Sequence, residues 1–436
     1  MLQRIVFLSV FVFGTLPALS KPLITDSENT YISACLAQNV SWENLEQICK
    51  NALEDGNLTR VERRELLNIL GDTQRFLNDH VSAEATYRSI FALQVGDAGA
   101  NEGLGWIAFD EKNFQLAAEF FERAVSEAPS AFRLAGLAGA LFRAGEIEIS
   151  AANELHNSAL SLDPESSWVL REKGWNNYDA GNFATAKSVF EEALELWSED
   201  ENAHAGLSYS LYNIGDYRLA VDHISRAIEL ASEEEPILLS YKEHRAFALW
   251  SLSRFRQAIK DAESLIEDFP DNSAGYVLKA RILHDMGATN EAIALLTDLA
   301  LDPEGQYFVY YWLAQIQKTD LRFEAALSTT EKAKLLPSAD GYMDNMRAEI
   351  ALGLNDTALA REMIRHAFVP GEWTMWSYLL DARIMVREGR MEDAQKRLGE
   401  ALELGLTVSE ISTLAREMIK QGDFKAAIAL SRGSER

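Results

Sequence analysis

One alanine recurs along this 436-residue chain at a nearly constant spacing. It appears eleven times, 33 to 38 residues apart and most often 34 apart, at Ala83, Ala117, Ala152, Ala186, Ala220, Ala258, Ala292, Ala326, Ala360, Ala394 and Ala427. A fixed period of this length is typical of arrays built from one repeated supersecondary unit. In such an array each unit buries its apolar face against its neighbours, so no single compact core is needed.

Proline and glycine keep the same phase as the alanine. Each of the seven prolines from Pro129 onward follows one of the alanines by 10 to 16 residues. Glycines precede six of the alanines by five to seven residues, at Gly145, Gly181, Gly215, Gly287, Gly389 and Gly422. Proline and glycine both end helices. Each unit is therefore predicted to hold two helices, one on each side of the glycine turn.

The residues within a unit resemble the signature of the tetratricopeptide repeat. Leu104-Gly105, Ala117, Phe121, Ala124 and Pro129 carry this resemblance most fully. It implies an all-α fold, a right-handed superhelical solenoid of antiparallel helix hairpins with about eleven repeats over residues 64–432. It also implies a concave groove lined by the first helix of each repeat. Residues 433–436 are predicted to form a short tail.

The first 20 residues differ from the rest of the chain. A short basic start at Arg4 precedes an apolar run from Ile5 to Phe13, and small residues follow before Lys21. This pattern predicts a cleaved secretory signal, with an uncleaved anchor as the alternative. The apolar stretch is shorter than the roughly 20 residues that a spanning helix needs. We therefore expect an exported protein whose mature chain does not span a membrane, most simply in the periplasm of a Gram-negative bacterium.

Residues 21–63 are expected to form an N-terminal helical cap that holds the only two cysteines, Cys35 and Cys49. Ser41 is predicted to cap a helix that runs through Glu54, and Thr59 is predicted to open the next helix through a capping box. In an exported chain this cysteine spacing favours a disulfide between two helices of the cap. Two buried thiols are the alternative.

Charge and motifs exclude several function classes. The chain has 67 acidic and 41 basic residues, a formal charge of −26, which disfavours nucleic acid because binding it requires neutralisation of phosphates. No two histidines are four residues apart and no CxxC or HExxH occurs, so no metal site or cofactor is expected. No GxSxG or phosphate-binding glycine loop occurs either. The sequence therefore predicts a protein without an enzymatic activity.

The resemblance places a non-uniform set of side chains on the groove. The predicted ligand groove is aromatic with one arginine: Trp106, Phe109, Trp168, Arg171, Trp175, Tyr178, Tyr209, Tyr212, Phe247 and Trp250. A basic end follows, at Arg281, Lys318, Arg383, Arg416 and Lys420. An exposed aromatic run indicates a binding surface, but neighbouring first helices also touch, so packing remains an alternative for the aromatics. Long side chains on a solvated face remain the alternative for the basic residues.

Two function classes follow from this groove. The first is a non-catalytic scaffold of the cell envelope that holds an extended segment or a helix of a protein partner. Aromatic residues and arginine are the residue types expected at the energetic centre of such an interface. The second is a carbohydrate-handling module that assists polysaccharide export or binding, because sugar rings stack on tryptophan and tyrosine.

Overall fold

The computed structural model describes residues 30–38, 40–231, 237–300, 307–333, 341–366, 375–405 and 407. Within these ranges it contains 22 α-helices and no strands. They are α1 Thr30–Ala37, α2 Trp42–Leu53, α3 Arg60–Phe76, α4 His80–Ile90, α5 Ala98–Asp110, α6 Phe114–Glu127, α7 Ala131–Arg143, α8 Ile149–Leu162, α9 Ser167–Asp179, α10 Phe183–Leu196, α11 Glu201–Ile214, α12 Tyr217–Leu230, α13 Ile237–Ser251, α14 Phe255–Asp268, α15 Ser273–Asp285, α16 Thr289–Leu299, α17 Tyr307–Thr319, α18 Phe323–Ala333, α19 Gly341–Gly353, α20 Thr357–His366, α21 Met375–Arg387 and α22 Met391–Glu403.

From α3 onward each odd-numbered helix is the first helix of a repeat and the following even-numbered helix is the second. A first helix contacts its own second helix, the second helix of the preceding repeat and, in most repeats, the neighbouring first helices. The predicted all-α solenoid of helix hairpins is confirmed. The chain divides into two compact units, residues 1–244 and residues 245–436, with the division inside α13.

The N-terminal hairpin forms as the sequence predicts. Ser41 is the N-cap residue of α2, and the capping box that opens α3 is complete, with Thr59 Oγ1 accepting from the Glu62 backbone N–H at 3.2 Å. Cys35 and Cys49 are buried and joined by a disulfide that links α1 to α2. Because α3 starts at Arg60, it crosses the predicted boundary between cap and solenoid at residue 63. The predicted signal, the tail and the repeat around Ala427 lie outside the described residues.

The prolines fall where the repeat phase places them. Pro129, Pro164 and Pro270 each lie between two helices and interrupt none. Pro236, Pro303, Pro337 and Pro370 lie outside the described residues.

A ring on the second helix packs between two glycines in three of the repeats. Phe190 on α10 faces Gly174 of its own repeat and Gly206 of the next, where an added Cβ would lie 2.7 Å and 2.2 Å from ring carbons. Tyr87 lies in the same way between Gly71 and Gly103, and Phe121 between Gly105 and Gly136. All three rings are completely buried. Glycine is therefore required on both first helices so that the ring can fill the space between them.

Each turn between the two helices of a repeat contains one residue in the left-handed region. It is glycine in five repeats, including Gly287 with φ of 85°, but Leu321 has the same conformation with φ of 61°. The Leu321 N–H donates to the Lys318 carbonyl at 3.1 Å and the Arg322 N–H to the Gln317 carbonyl at 2.8 Å. This pair of hydrogen bonds is the Schellman arrangement that ends a helix with a left-handed residue. A side chain at that residue costs conformational energy that glycine avoids.

Replacing Gly206 by alanine should destabilise unit 1 by about 1–3 kcal/mol, because the new methyl group would overlap the Phe190 ring. Gly399, inside α22, is the matched control because an added Cβ there meets nothing within 4 Å. Gly399→Ala should stabilise its helix by about 0.5–1 kcal/mol through helix propensity. Chemical denaturation of both variants tests the difference, and equal effects of the two substitutions would contradict the packing argument.

Leu321→Gly should stabilise unit 2 by about 0.5–1 kcal/mol, because it removes the strain of a left-handed leucine. Leu321 is 53 % exposed, so little packing is lost. The reverse change, Gly287→Leu, should destabilise by a similar or larger amount. Thermal and urea denaturation measure both changes, and a Leu321→Gly variant no more stable than the parent chain would refute the strain.

Candidate interaction site on the first helices

All the predicted groove residues that the structure describes lie on first helices, as the resemblance implies. They are distributed over α5, α9, α11, α13, α15, α17 and α21. Arg416 and Lys420 lie outside the described residues.

The exposure predicted for four of them is wrong. Trp106, Phe109, Arg171 and Tyr209 are only 3–5 % exposed. The Trp106 ring packs edge-on against Phe121, with ring centroids 4.9 Å apart, and the Arg171 guanidinium pairs with the buried Asp200 at 3.1 Å. The physical reason is that a first helix also contacts the neighbouring first helices, so part of its inner face is consumed by packing.

The other aromatic residues of unit 1 are partly buried and pack within the repeats. Trp168 lies 4.2 Å from the Phe132 ring and Trp175 lies 5.3 Å from Phe190, measured between centroids. Tyr178 and Tyr212 also pack on other rings, and the Tyr178 hydroxyl accepts a hydrogen bond from the Asn213 amide at 3.2 Å. The predicted exposed trough is therefore not present in unit 1. Its aromatic residues form a packed row between repeats.

Unit 1 also buries polar groups on α7, α8 and α9. The Asn176 amide contacts His156 Nε2 at 2.9 Å, and both residues are at most 1 % exposed. The pKa of His156 falls to about 3 because burial disfavours its charged form, with smaller contributions from nearby Lys173 and Arg143. Within the described residues, His156 Nδ1, Asn176 Oδ1 and Arg143 Nη1 are buried without a hydrogen-bond partner. Such groups are rare in folded proteins and costly to leave unpaired.

In unit 2 three consecutive first helices bring aromatic rings around one arginine. The Arg281 guanidinium on α15 lies 3.9 Å from the centre of the Trp312 ring on α17. It also lies 4.9 Å from the Trp250 ring and 5.3 Å from the Phe247 ring, both on α13. All four side chains are partly exposed. We call these four residues the Arg281 patch.

The predicted basic end is not a free cationic surface. Lys318 and Arg383 both pair with Glu349 on the intervening first helix, and the Arg383 contact is 3.3 Å long. Burial alone would raise the pKa of Glu349, but the two cations outweigh it and lower that pKa. The carboxylate thus remains charged, and the two cations serve to join three neighbouring repeats. Arg281 is likewise held against aromatic rings.

Sequence reasoning missed Trp312 and Glu349. Trp312 directly follows Tyr311, which the groove phase includes, and a first helix that curves around its neighbours exposes both positions in part. Glu349 lies between Lys318 and Arg383 at about one repeat from each. An acidic residue in phase between two basic ones was the available signal for an ion triad.

Two further features of the described residues bear on function. No group of three or more histidine, cysteine, aspartate or glutamate side chains is arranged to hold a metal ion in the described part of the chain. None of the described helices combines the length and apolarity needed to cross a membrane.

The chain matches a tetratricopeptide repeat family model over residues 70–132, 171–235 and 245–305. These stretches contain the hairpins described above. The chain is a tetratricopeptide repeat protein. The repeats support a protein-interaction scaffold as the general role.

Similar proteins share parts of the array. The human antiviral innate immune response effector IFIT1 is 26 % identical over 172 residues, which are 39 % of this chain and 29 % of the relative. Superkiller protein 3 of Saccharomyces cerevisiae is 24 % identical over 237 residues, 49 % of this chain and 16 % of the relative. The chain thus spans less than a third of the length of either relative.

Among solved structures, human IFIT1 as a dimer with m7Gppp-AAAA gives a TM-score of 0.47 at 16 % identity, covering 88 % of this chain and 92 % of that one. PilF of Pseudomonas aeruginosa gives 0.42 at 19 % identity, covering 51 % of this chain and 99 % of that one. These similarities are weak.

Acid should loosen the repeats around His156. Because the pKa falls from 6.5 to about 3 on folding, the unfolded state binds the proton first, and the stability that is present above pH 6.5 is lost as the pH falls towards 3. Between pH 7.5 and 5.5 the expected loss from this one group is about 1.4 kcal/mol. Hydrogen exchange at the amides of α8 and α9, corrected for intrinsic rates, measures it.

His156→Gln keeps a group that can bond to Asn176 but cannot titrate, so its local stability should lose that part of the pH dependence. His244 is the control, because burial also lowers its pKa to about 3 but it lies on α13. His244→Gln should leave the pH dependence at α8 unchanged, since repeat arrays respond locally. An unchanged pH dependence at α8 in His156→Gln would show that another group is responsible.

Proposed function

We propose that this protein is a scaffold that binds an extended or helical segment of a partner protein on the Arg281 patch of unit 2. The observation that carries the proposal is the partly exposed arginine held among three aromatic rings from neighbouring first helices. A segment lying across α13, α15 and α17 would contact all four side chains of the patch.

The composition of the patch favours a protein ligand. Tryptophan and arginine are enriched among the residues that dominate the free energy of protein interfaces. A guanidinium over a ring keeps its N–H groups in the ring plane's vicinity while its charge is stabilised by the ring face. The stacked arginine therefore offers a rigid donor group at low cost in side-chain entropy.

Donors at the patch specify what the segment must supply. The Trp250 Nε1–H donates to Asp285 at 2.9 Å. The Trp312 Nε1 is buried and has no hydrogen-bond partner among the described residues. A carbonyl or carboxylate oxygen of the bound segment would satisfy it, while an apolar side chain of the segment would cover the Phe247 and Trp250 rings. A main-chain segment with one apolar anchor provides both.

The location of this interaction is part of the proposal. The disulfide between Cys35 and Cys49 is the kind of bond that persists in oxidising compartments outside the cytoplasm. Together with the apolar stretch in the first 20 residues, it supports export to the cell envelope. The partner is then expected to carry an export signal of its own.

Photo-crosslinking from one position on each face tests the proposal. A crosslinking residue replaces Gln315, one helical turn from Trp312, and a second variant carries it at Glu331 on the second helix α18. Gln315 leaves the four patch residues intact. In cells of the native host, the partner should be captured from position 315 and not from 331, and mass spectrometry of the crosslink gives the bound segment.

The binding of that segment is then measured in vitro. Trp250→Ala and Arg281→Ala should each weaken it by about 2 kcal/mol, roughly 30-fold, while keeping the melting temperature. Trp197→Ala is the matched control, a partly buried tryptophan at the end of the second helix α10, and it should bind as the parent chain does. Equal capture from both positions, unchanged binding by both patch variants, or a glycan as the crosslinked species would each contradict the proposal.

A further inference from the structure

Two histidines in the fifth repeat of the array face each other across one hairpin. His204 on α11 and His223 on α12 place their Nδ1 atoms 3.0 Å apart. Their rings are 5.3 Å apart between centroids and inclined by 30°. Both side chains are partly exposed, so ions in solution can reach the pair. The residues are 19 positions apart in the sequence, so no local motif reveals them.

The backbone fixes the role of one ring. His204 Nε2 lies 3.1 Å from the Ser198 carbonyl oxygen, which can only accept, so Nε2 carries the hydrogen. The Nδ1 lone pair of the neutral His204 ring is therefore directed at His223. A backbone carbonyl that orients the far nitrogen of a histidine is the support that metal-ligating histidines usually have.

The distance between the two Nδ1 atoms fits a shared metal ion. Nitrogen ligands bind first-row metals at about 2.0–2.1 Å, so two ligands at a right angle are about 2.9 Å apart, and two at the tetrahedral angle about 3.4 Å apart. The observed 3.0 Å matches the right angle. Tetragonal nitrogen and oxygen sites with right angles are typical of Cu²⁺ and Ni²⁺.

The surrounding charges suit a cation. Asp200 lies near His204, and Asp222 and Glu191 lie near His223. The nearby positive group, Arg226, is itself paired with Glu199 and Glu229. Burial lowers the pKa of His204, and burial followed by the neighbouring His204 lowers that of His223. Both rings are therefore neutral at pH 7, the form that binds metal.

We propose that His204 and His223 form a two-histidine site for a divalent transition metal ion with a preference for right-angled ligands, Cu²⁺ or Ni²⁺. Both Nδ1 atoms would bind the ion, and water or a neighbouring carboxylate would complete its coordination. His223 would change tautomer and move its hydrogen to Nε2, so neutral rings release no proton. The ion would cross-link α11 to α12 and stabilise that hairpin.

The test titrates Cu²⁺ and Ni²⁺ into the disulfide-intact full chain. Isothermal titration calorimetry should show that His204→Gln and His223→Gln each weaken one binding event by at least 10-fold. His284→Gln is the matched control: this partly buried histidine contacts only threonine hydroxyls, at 3.0 Å from each ring nitrogen. It should bind as the parent chain does, and added metal should raise the melting temperature of the parent and the control only.

Spectroscopy of the unsubstituted chain provides a readout that does not depend on the variants folding. With one equivalent of Cu²⁺ and ¹⁵N-histidine labelling, the electron paramagnetic resonance spectrum should show hyperfine coupling to two imidazole nitrogens. Coupling to fewer than two, or equal Cu²⁺ and Ni²⁺ affinities of the parent and both variants, would overturn the site.

Discussion

The arrangement of the repeats depends on what the second helix inserts between successive first helices. In three repeats this is an aromatic ring, and the glycines that flank Phe190 leave no room for a methyl group on either side. The backbone of each first helix therefore approaches the ring directly, and the ring sets the distance between neighbouring repeats. Since each repeat is placed by the one before it, this single contact determines where all the inner-face side chains lie.

The array changes character where this contact changes. His156 occupies the ring position of its repeat, and the first-helix position that is glycine elsewhere is Glu172 there. In the repeat that follows Phe190, Ser208 and His244 replace the glycines and are 3.1 Å apart. A polar group thus substitutes for close backbone approach, and it requires a partner that an aromatic ring does not. Identical helical frames can in this way alternate between apolar and hydrogen-bonded interfaces.

The sequence predicted the frame of the molecule far better than its surface. Ala186, Gly181 and Pro164 hold one-to-one relations with backbone events, a close approach, a left-handed turn and a helix end, so their spacing predicted the hairpins. The inner-face aromatics have no such relation, because Trp106 and Trp250 share a helix type but differ in what the neighbouring repeat places against them. The trough was therefore wrong in unit 1. The partners of Lys318 and the histidine pair depend on residues one repeat or one hairpin away, which a reading of single helices does not join.

The disulfide has a consequence for how the array would come apart. Hairpin α1–α2 contacts only α3 beyond itself among the described helices, so it is held by neighbours on one side only. A linear stack frays most easily where a unit has a single neighbour, and proteases attack where fraying exposes the chain. The bond between Cys35 and Cys49 keeps that hairpin closed even when it detaches from α3. Digestion would then have to begin at an interior turn, and reducing conditions would move the first cut to the α1–α2 hairpin.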